Sequence, residues 1–236
     1  MERLGLHHEY LLFALQDVTG KSLVGGFEAS YALAGALVAE MQVRDRLVAV
    51  KANVFGLRPG PFSPGALGMA EGRLEGQQIS MKRCMGRITQ HWFSSIGPIR
   101  VAALSELVQV GALEPTQDTF LFIPWRMRYP EADPRFEDAA RQRLRSHLET
   151  RGDGDAPEPD DLLLSLLRVT KLLGNVWSEA ELERLKPAID ARTQRAPVGQ
   201  IVKELVREAE AAAAATGAAY TCPAAFRDDL DADPPI

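Results

Sequence analysis

Apolar and polar positions follow a helical period over most of this chain, and one stretch departs from it by being apolar on nearly every side. Between Tyr31 and Met41 only Glu40 is charged, and Ala, Leu and Val supply most of the remaining positions. A helix without a polar face belongs inside a packed protein. The uncharged run covers about half of the ~20 residues a bilayer requires. Phe27 to Val43 therefore reads as a central core helix. Its small residues Ala29, Ala32, Gly35, Ala36 and Ala39 are expected to let neighbouring helices approach closely.

The remaining pattern predicts amphipathic helices laid around that rod. Residues 8–16 read as a short amphipathic helix or strand-like run that the turn chemistry of Asp17 to Gly20 stops. Arg44 to Val50 alternates and is predicted to be extended. Residues 56–68, with three prolines and four glycines, read as loop. Met69 to Trp92 reads as one helical segment weakened by Gly72, Gly76 and Gly86, and Gly97-Pro98 separates it from a helix over Ile99 to Val110 capped by Gly111. In 112–130 the β-formers Phe120, Leu121, Phe122, Ile123 and Trp125 lie among Pro115, Pro124 and Pro130, so a β-hairpin or extended loop is expected. Helices follow from Asp133-Pro134 to about Thr150, over Leu162 to Leu173, over Ser178 to Ala191, and over Val198 to about Thr216. Ser178 and Glu181 have the spacing of a capping box, and Pro187 is a candidate kink. The acidic stretch Gly152 to Asp161 reads as a surface loop within one domain, 1–217, and 218–236 as a loosely held acidic tail. The expected fold class is all-α: a central hydrophobic helix ringed by amphipathic helices, with one projecting β-hairpin.

Composition narrows the function classes. The 236 residues are 46% apolar and 25% charged, the balance of an ordinary soluble globular domain. A net charge of −5 supplies no global attraction for nucleic acid or anionic lipid, so any such contact must come from a local basic patch. No nucleic-acid partner is expected. Cys84 and Cys222 lack metal-ligand spacing and read as free thiols of a reducing compartment. The first seventeen residues lack a secretory pattern. These features together predict a cytoplasmic protein, peripheral to the inner face of the membrane if it meets one.

Chemical motifs are sparse. The histidines are His7, His8, His91 and His147; adjacent helical residues point about 100° apart, so His7 and His8 are not expected to chelate together. HExxH, CxxC, GxGxxG, the P-loop and GxSxG do not occur, and neither metal nor cofactor is expected. Glu40 is readable as a general base of raised pKa or as the partner of Arg44 one turn on, the second reading being favoured. His91 beside Ser94 and Ser95 lacks an acid and an oxyanion site, so no catalytic residue is assigned. Two features stand out. Lys82, Arg83 and Arg87 share one helical segment, Arg100 lies in the first turn after Pro98, and Arg126 and Arg128 flank the apolar hairpin. These six are the candidate phosphate-binding residues, Arg100 with help from the helix terminus. The five apolar hairpin residues are readable as a core strand pair, or as an exposed tip meeting a membrane interface or a second subunit.

The ordered blocks LLFALQDVTGK (11–21), ALAGALVAEMQVRDRL (32–47), FLFIPWRMRYPEADP (120–134), RQRLRSHL (141–148) and DLLLSLLRVTKLLGNVW (161–177) resemble the Golgi phosphoprotein 3 family, in its bacterial branch. The resemblance runs from about Leu11 to about Ala215. It implies a non-enzymatic helical domain whose eukaryotic members bind phosphatidylinositol 4-phosphate in a basic pocket, insert a β-hairpin into membranes and hold glycosyltransferases by their tails. The pocket's tryptophan and first arginine correspond here to Gly25 and Ala34, and its later arginine pair to Gly97 and Arg100. One matched residue of four does not make that pocket. Of that pocket only Arg100 carries over, and with the basic residues read from the pattern it is expected to meet anionic head groups together with Lys82, Arg83, Arg87, Arg126 and Arg128. The resemblance also implies membrane or homo-oligomer contact through Phe120, Leu121, Phe122, Ile123 and Trp125. A protein client is unnamed. The alternative is a soluble interaction module that oligomerises through the hairpin without binding lipid.

Overall fold

The apolar stretch forms helix α2 (Gly26–Val43), in which every residue from Ala29 to Met41 is buried. The computed structural model describes residues 3–91, 94–120, 123–150 and 156–215, with backbone alone at 90, 91, 94, 95, 118–120, 123–126 and 215. Around α2 pack α1 (Leu6–Phe13), α4 (Met81–Thr89), α7 (Pro159–Val169) and α10 (Pro197–Ala215). The small residues of α2 make this possible. A Cβ on Gly35 would stand 3.0 Å from Leu166 of α7 and 3.0 Å from Val202 of α10, tighter than ordinary contact. Helices α3 (Gly65–Leu74), α5 (Gly97–Gln109), α6 (Arg135–Glu149), α8 (Leu173–Val176) and α9 (Glu179–Arg195) complete the outer layer. The fold is mostly helical with a hairpin, as the pattern predicts.

Three small antiparallel sheets accompany the described helices. Strands β1 (Leu47–Lys51), β2 (Val54–Leu57) and β3 (Gln78–Ile79) form one, β4 (Gln90–His91) and β5 (Ser94–Ser95) a second, and β6 (Thr116–Phe120) with β7 (Ile123–Arg128) the hairpin. The first sheet corrects two expectations. The segment read as one helix from Met69 to Trp92 is two helices, because Gly76 turns the chain at φ +67° and the next residues pair with β2, Ile79 opposite Phe55. The segment read as loop from 56 to 68 is a loop only over 58–64, since β2 reaches Leu57 and α3 begins at Gly65. The run read at 8–16 is helical only to Phe13, in a helix that starts earlier, at Leu6, and Leu15 beyond it bridges to Ser22. Of the stretch read as a surface loop over 152–161, residues 152–155 lie outside the described residues, and Pro159 to Asp161 are instead the first turn of α7, which begins with a capping box: Glu158 N–H donates to Asp161 at 2.9 Å. The expected box at Ser178 forms, its N–H donating to Glu181 at 3.1 Å. Gly111 ends α5 at φ +79°, and α9 continues through Pro187.

Several helix starts carry no local cap and are closed by a side chain from another helix. Gly5 precedes α1 without a capping side chain, and Leu6 N–H donates instead to Glu40 Oε2 of α2 at 2.7 Å. Pro64 precedes α3, and Ala66 N–H donates to Glu106 Oε1 of α5 at 2.7 Å. In α10, Gly199 N–H donates to Ser165 Oγ of α7 at 3.1 Å. Each such bond satisfies an orphan donor and, with a carboxylate, places negative charge at the positive end of the helix dipole. Each also fixes one helix against another.

Candidate functional site

The amphipathic period of α4 buries Cys84, Met85 and Ile88 and turns Lys82, Arg83 and Arg87 outward. That face is partly neutralised from within the chain. Lys82 Nζ lies 2.7 Å from both Glu204 and Glu208, which stand one turn apart on α10, and these carboxylates hold its ammonium above the ordinary lysine value. Arg87 Nε donates to the Arg73 carbonyl at 3.1 Å, and Arg83 is exposed. Cys84 is a buried free thiol, pushed up to about 11 by burial; Cys222 lies outside the described residues.

Arg100 is placed differently. It sits in the first turn of α5, as expected after Pro98, but only 7% of it is exposed. Its charge reaches buried Tyr10 of α1, as does that of Glu28 from the first turn of α2. Of the positions matched to the eukaryotic pocket, Gly25 precedes α2, Ala34 is fully buried within it, and Gly97 opens α5. The six cations thus do not converge on one described patch. Lys82, Arg83 and Arg87 share α4, Arg100 lies inward on α5, and Arg126 and Arg128 lie on β7.

The hairpin is a two-stranded ribbon. Its register pairs Arg128 with Thr116 and Arg126 with Asp118, then shifts so that Pro124 faces Thr119, leaving Trp125 as the extra residue of a bulge. A bulge suits Pro124, which has no N–H to give a ladder. Leu121 and Phe122 lie outside the described residues, as do the side chains of Phe120, Ile123, Trp125 and Arg126. At its base the ribbon is tied to the body. Glu131 N–H donates to the Asp17 carbonyl at 2.8 Å, and Glu114 N–H to the Pro130 carbonyl at 3.0 Å. Gly20, at φ +62°, lies so close that a Cβ there would stand 2.3 Å from the backbone of Tyr129 and Pro130. Only glycine tolerates both constraints.

An acidic group underlies this base. Glu137 is buried, and burial, followed by the charges of Asp17 and Glu131, pushes its carboxyl up to about 7 against the pull of its ion-pair partner Arg141. A folded-state value above the unfolded one means that the native state holds this proton longer. The contribution is complete below the unfolded value near 4.5 and disappears as pH rises through about 7. Glu137→Gln is expected to flatten stability over that interval and to raise it above pH 7 by about 1–2 kcal/mol, net of the lost Arg141 bridge. Urea unfolding across the interval measures it, and an unchanged slope would refute the assignment.

The tertiary structure also gathers residues that pattern reading leaves apart. Glu40 is not poised as a base: Oε1 lies 2.5 Å from Arg44 Nε while Oε2 caps α1. His91 carries no described side chain, and His147 Nε2 lies 2.6 Å from Asp161 of α7. His7 and His8 of α1 meet Glu106 of α5, a residue with no distinguishing motif. Nothing in local spacing signals a contact between residues 98 positions apart.

Comparison with known proteins agrees with the architecture. A model of the family described as Golgi phosphoprotein 3 (GPP34) matches residues 6–209, from the first helix into α10. No curated protein matches the chain.

Proposed function

Because the chain belongs to the Golgi phosphoprotein 3 family, we propose that it is a non-enzymatic peripheral membrane protein, an anionic-lipid-binding or adaptor protein that meets the bilayer through the β6–β7 hairpin. The observation that carries this reading is the ribbon itself. Among the described strands β6 and β7 pair only with each other, and the sequence from the end of β6 into β7, Phe120 to Trp125, has five large apolar residues in six positions. A short apolar tip followed by Arg126 and Arg128 suits insertion at the level of lipid head groups, where aromatic and basic side chains partition together. Among the described residues no helix is long and apolar enough to cross a membrane.

The electrostatic contribution is local and modest. Lys82 is shared by two glutamates, Arg100 is buried, and the net charge is negative. Binding should therefore weaken with salt and show little head-group selectivity. The open edges of the two-stranded ribbon also favour a second reading, pairing with another copy of the chain without lipid.

Co-sedimentation with neutral, anionic and phosphatidylinositol 4-phosphate liposomes at two salt concentrations tests both. The expected result is salt-sensitive binding to any anionic liposome. Phe122→Ser with Trp125→Ser should reduce it at least tenfold, as about 1.5–3 kcal/mol accompanies each large apolar side chain removed from water. Binding that the double variant leaves intact overturns insertion by the hairpin. Self-association that the variant abolishes, with no liposome pelleting, favours the second reading.

A further inference from the structure

We infer that His7, His8 and Glu106 form a binding site for a divalent transition-metal ion of the zinc class, joining α1 to α5. One ligand atom from each of the three lies within 4.8 Å of the others. His8 Nε2 is 2.6 Å from Glu106 Oε2, and His7 Nε2 is 3.9 Å from the same oxygen. The two imidazole rings stand 4.0 Å apart between centroids, tilted by 37°. Neighbouring helical residues ordinarily diverge, but these two rings turn toward one carboxylate.

The second observation is independent of the clustering. His7 is 2% exposed, and among the described residues neither of its ring nitrogens has a hydrogen-bond partner. Burying an imidazole with both nitrogens unsatisfied is costly, and such a group calls for an unseen ion or water. Ions bound by two histidines and one carboxylate sit about 2.0–2.2 Å from each ligand atom, with separations between ligand atoms of roughly 3–3.5 Å. Reaching that arrangement requires His8 and Glu106 to part, and His7 and Glu106 to close, by less than about 1 Å each, with the two ligating ring nitrogens, which lie within 4.8 Å of each other, settling at the same separation.

The surroundings are built to hold the carboxylate in place. Glu106 Oε1 accepts Ala66 N–H at 2.7 Å, which leaves Oε2 turned toward the histidines. An orienting bond of this kind is what ligating carboxylates receive from their second shell. Gly65 backs onto the same group at φ +62°, where a Cβ would fall 1.6 Å from Oε1. On the other side, a Cβ on Gly5 would stand 2.9 Å from His7 Cε1. The Glu106 side chain is 27% exposed, so solvent reaches the site and water can complete the coordination. Three ligands from two helices define a staple that pins α1, and through Ala66 the start of α3, to α5.

The test uses the full chain prepared without an affinity tag and stripped with a chelator. Zn²⁺ should bind at one equivalent per chain and raise the unfolding temperature by several degrees at saturating metal. Co²⁺ in its place should give the visible absorption of nitrogen- and oxygen-ligated cobalt. Outer-shell losses alone weaken metal affinity by about 10–100-fold, so His8→Gln, which loses a ligand but keeps a donor toward Glu106, should weaken it at least about 100-fold. No stoichiometric binding by the parent chain overturns the proposal whatever the variant does. Binding that survives His8→Gln undiminished places the ion elsewhere and overturns it equally.

Discussion

Glu71→Ala should destabilise the protein by about 3–5 kcal/mol, the usual result of removing one partner of a buried ion pair. The Glu71 side chain is fully buried, and its partner Arg46 is 18% exposed. Arg46 Nε donates to Oε1 at 3.1 Å, Ser63 N–H to Oε2 at 2.7 Å and Ser63 Oγ to Oε1 at 2.8 Å. The guanidinium also reaches the Arg58 and Pro61 carbonyls, at 3.3 and 3.0 Å. Glu71 and Arg46 therefore tie down the whole proline- and glycine-rich loop over 58–64. Burial pushes the Glu71 carboxyl up, but Arg46 and the two Ser63 donors outweigh it and hold the group below its ordinary value. Without the carboxylate, Arg46 and Ser63 N–H lose their partner together. Glu71→Gln keeps an acceptor for Ser63 and should lose less, about 1–3 kcal/mol. Urea unfolding of the two variants beside the parent measures both, and equal, small losses would show that this pair is not holding the loop.

Leu37→Ala should cost about as much, 3–5 kcal/mol, for a different reason. Leu37 is 0% exposed in a helix buried along its whole middle and packed by α1, α4, α7 and α10. Truncation there leaves a cavity that neighbours held on every side cannot collapse into, so the penalty lies toward the upper part of the range for leucine. Val43, at the end of the same helix and 45% exposed, is the control. Val43→Ala should change stability by no more than about 0.5 kcal/mol. Similar losses at the two positions would contradict the placement of α2 as the central element.

What sequence pattern leaves undetermined is spread between distant residues. Gly72, Gly76 and Gly86 all weaken a helix, yet only Gly76 breaks it, because Gln78 and Ile79 find a strand partner in β2. Lys82, Arg83 and Arg87 look alike on a helical projection. The structure separates them through Glu204 and Glu208, more than 120 positions away on a helix whose placement the period of α4 does not reveal. Pro98 places Arg100 in the first turn of a helix, whereas its burial depends on the tertiary packing of that helix. The helical period of α1 alone points His7 and His8 apart, and both approach a common carboxylate only because α5 supplies Glu106.

What the chain determines by itself is local or periodic. The apolar run of α2 predicts a central helix, small residues predict close approach at Gly35, and Ser178 with Glu181 predicts a cap. Prolines among β-formers predict a hairpin or extended loop within 112–130, where the ribbon of 116–128 forms. Each rests on backbone propensity or on residues within a few turns of one another. Only the tertiary structure decides which helix closes which: Glu40 on α1, Glu106 on α3, Ser165 on α10, across separations of 34, 40 and 34 residues. A helix start without its own cap leaves donors that must be satisfied, but any buried acceptor will serve. Which acceptor arrives is set by how the apolar faces pack around α2, a property of all the helices together.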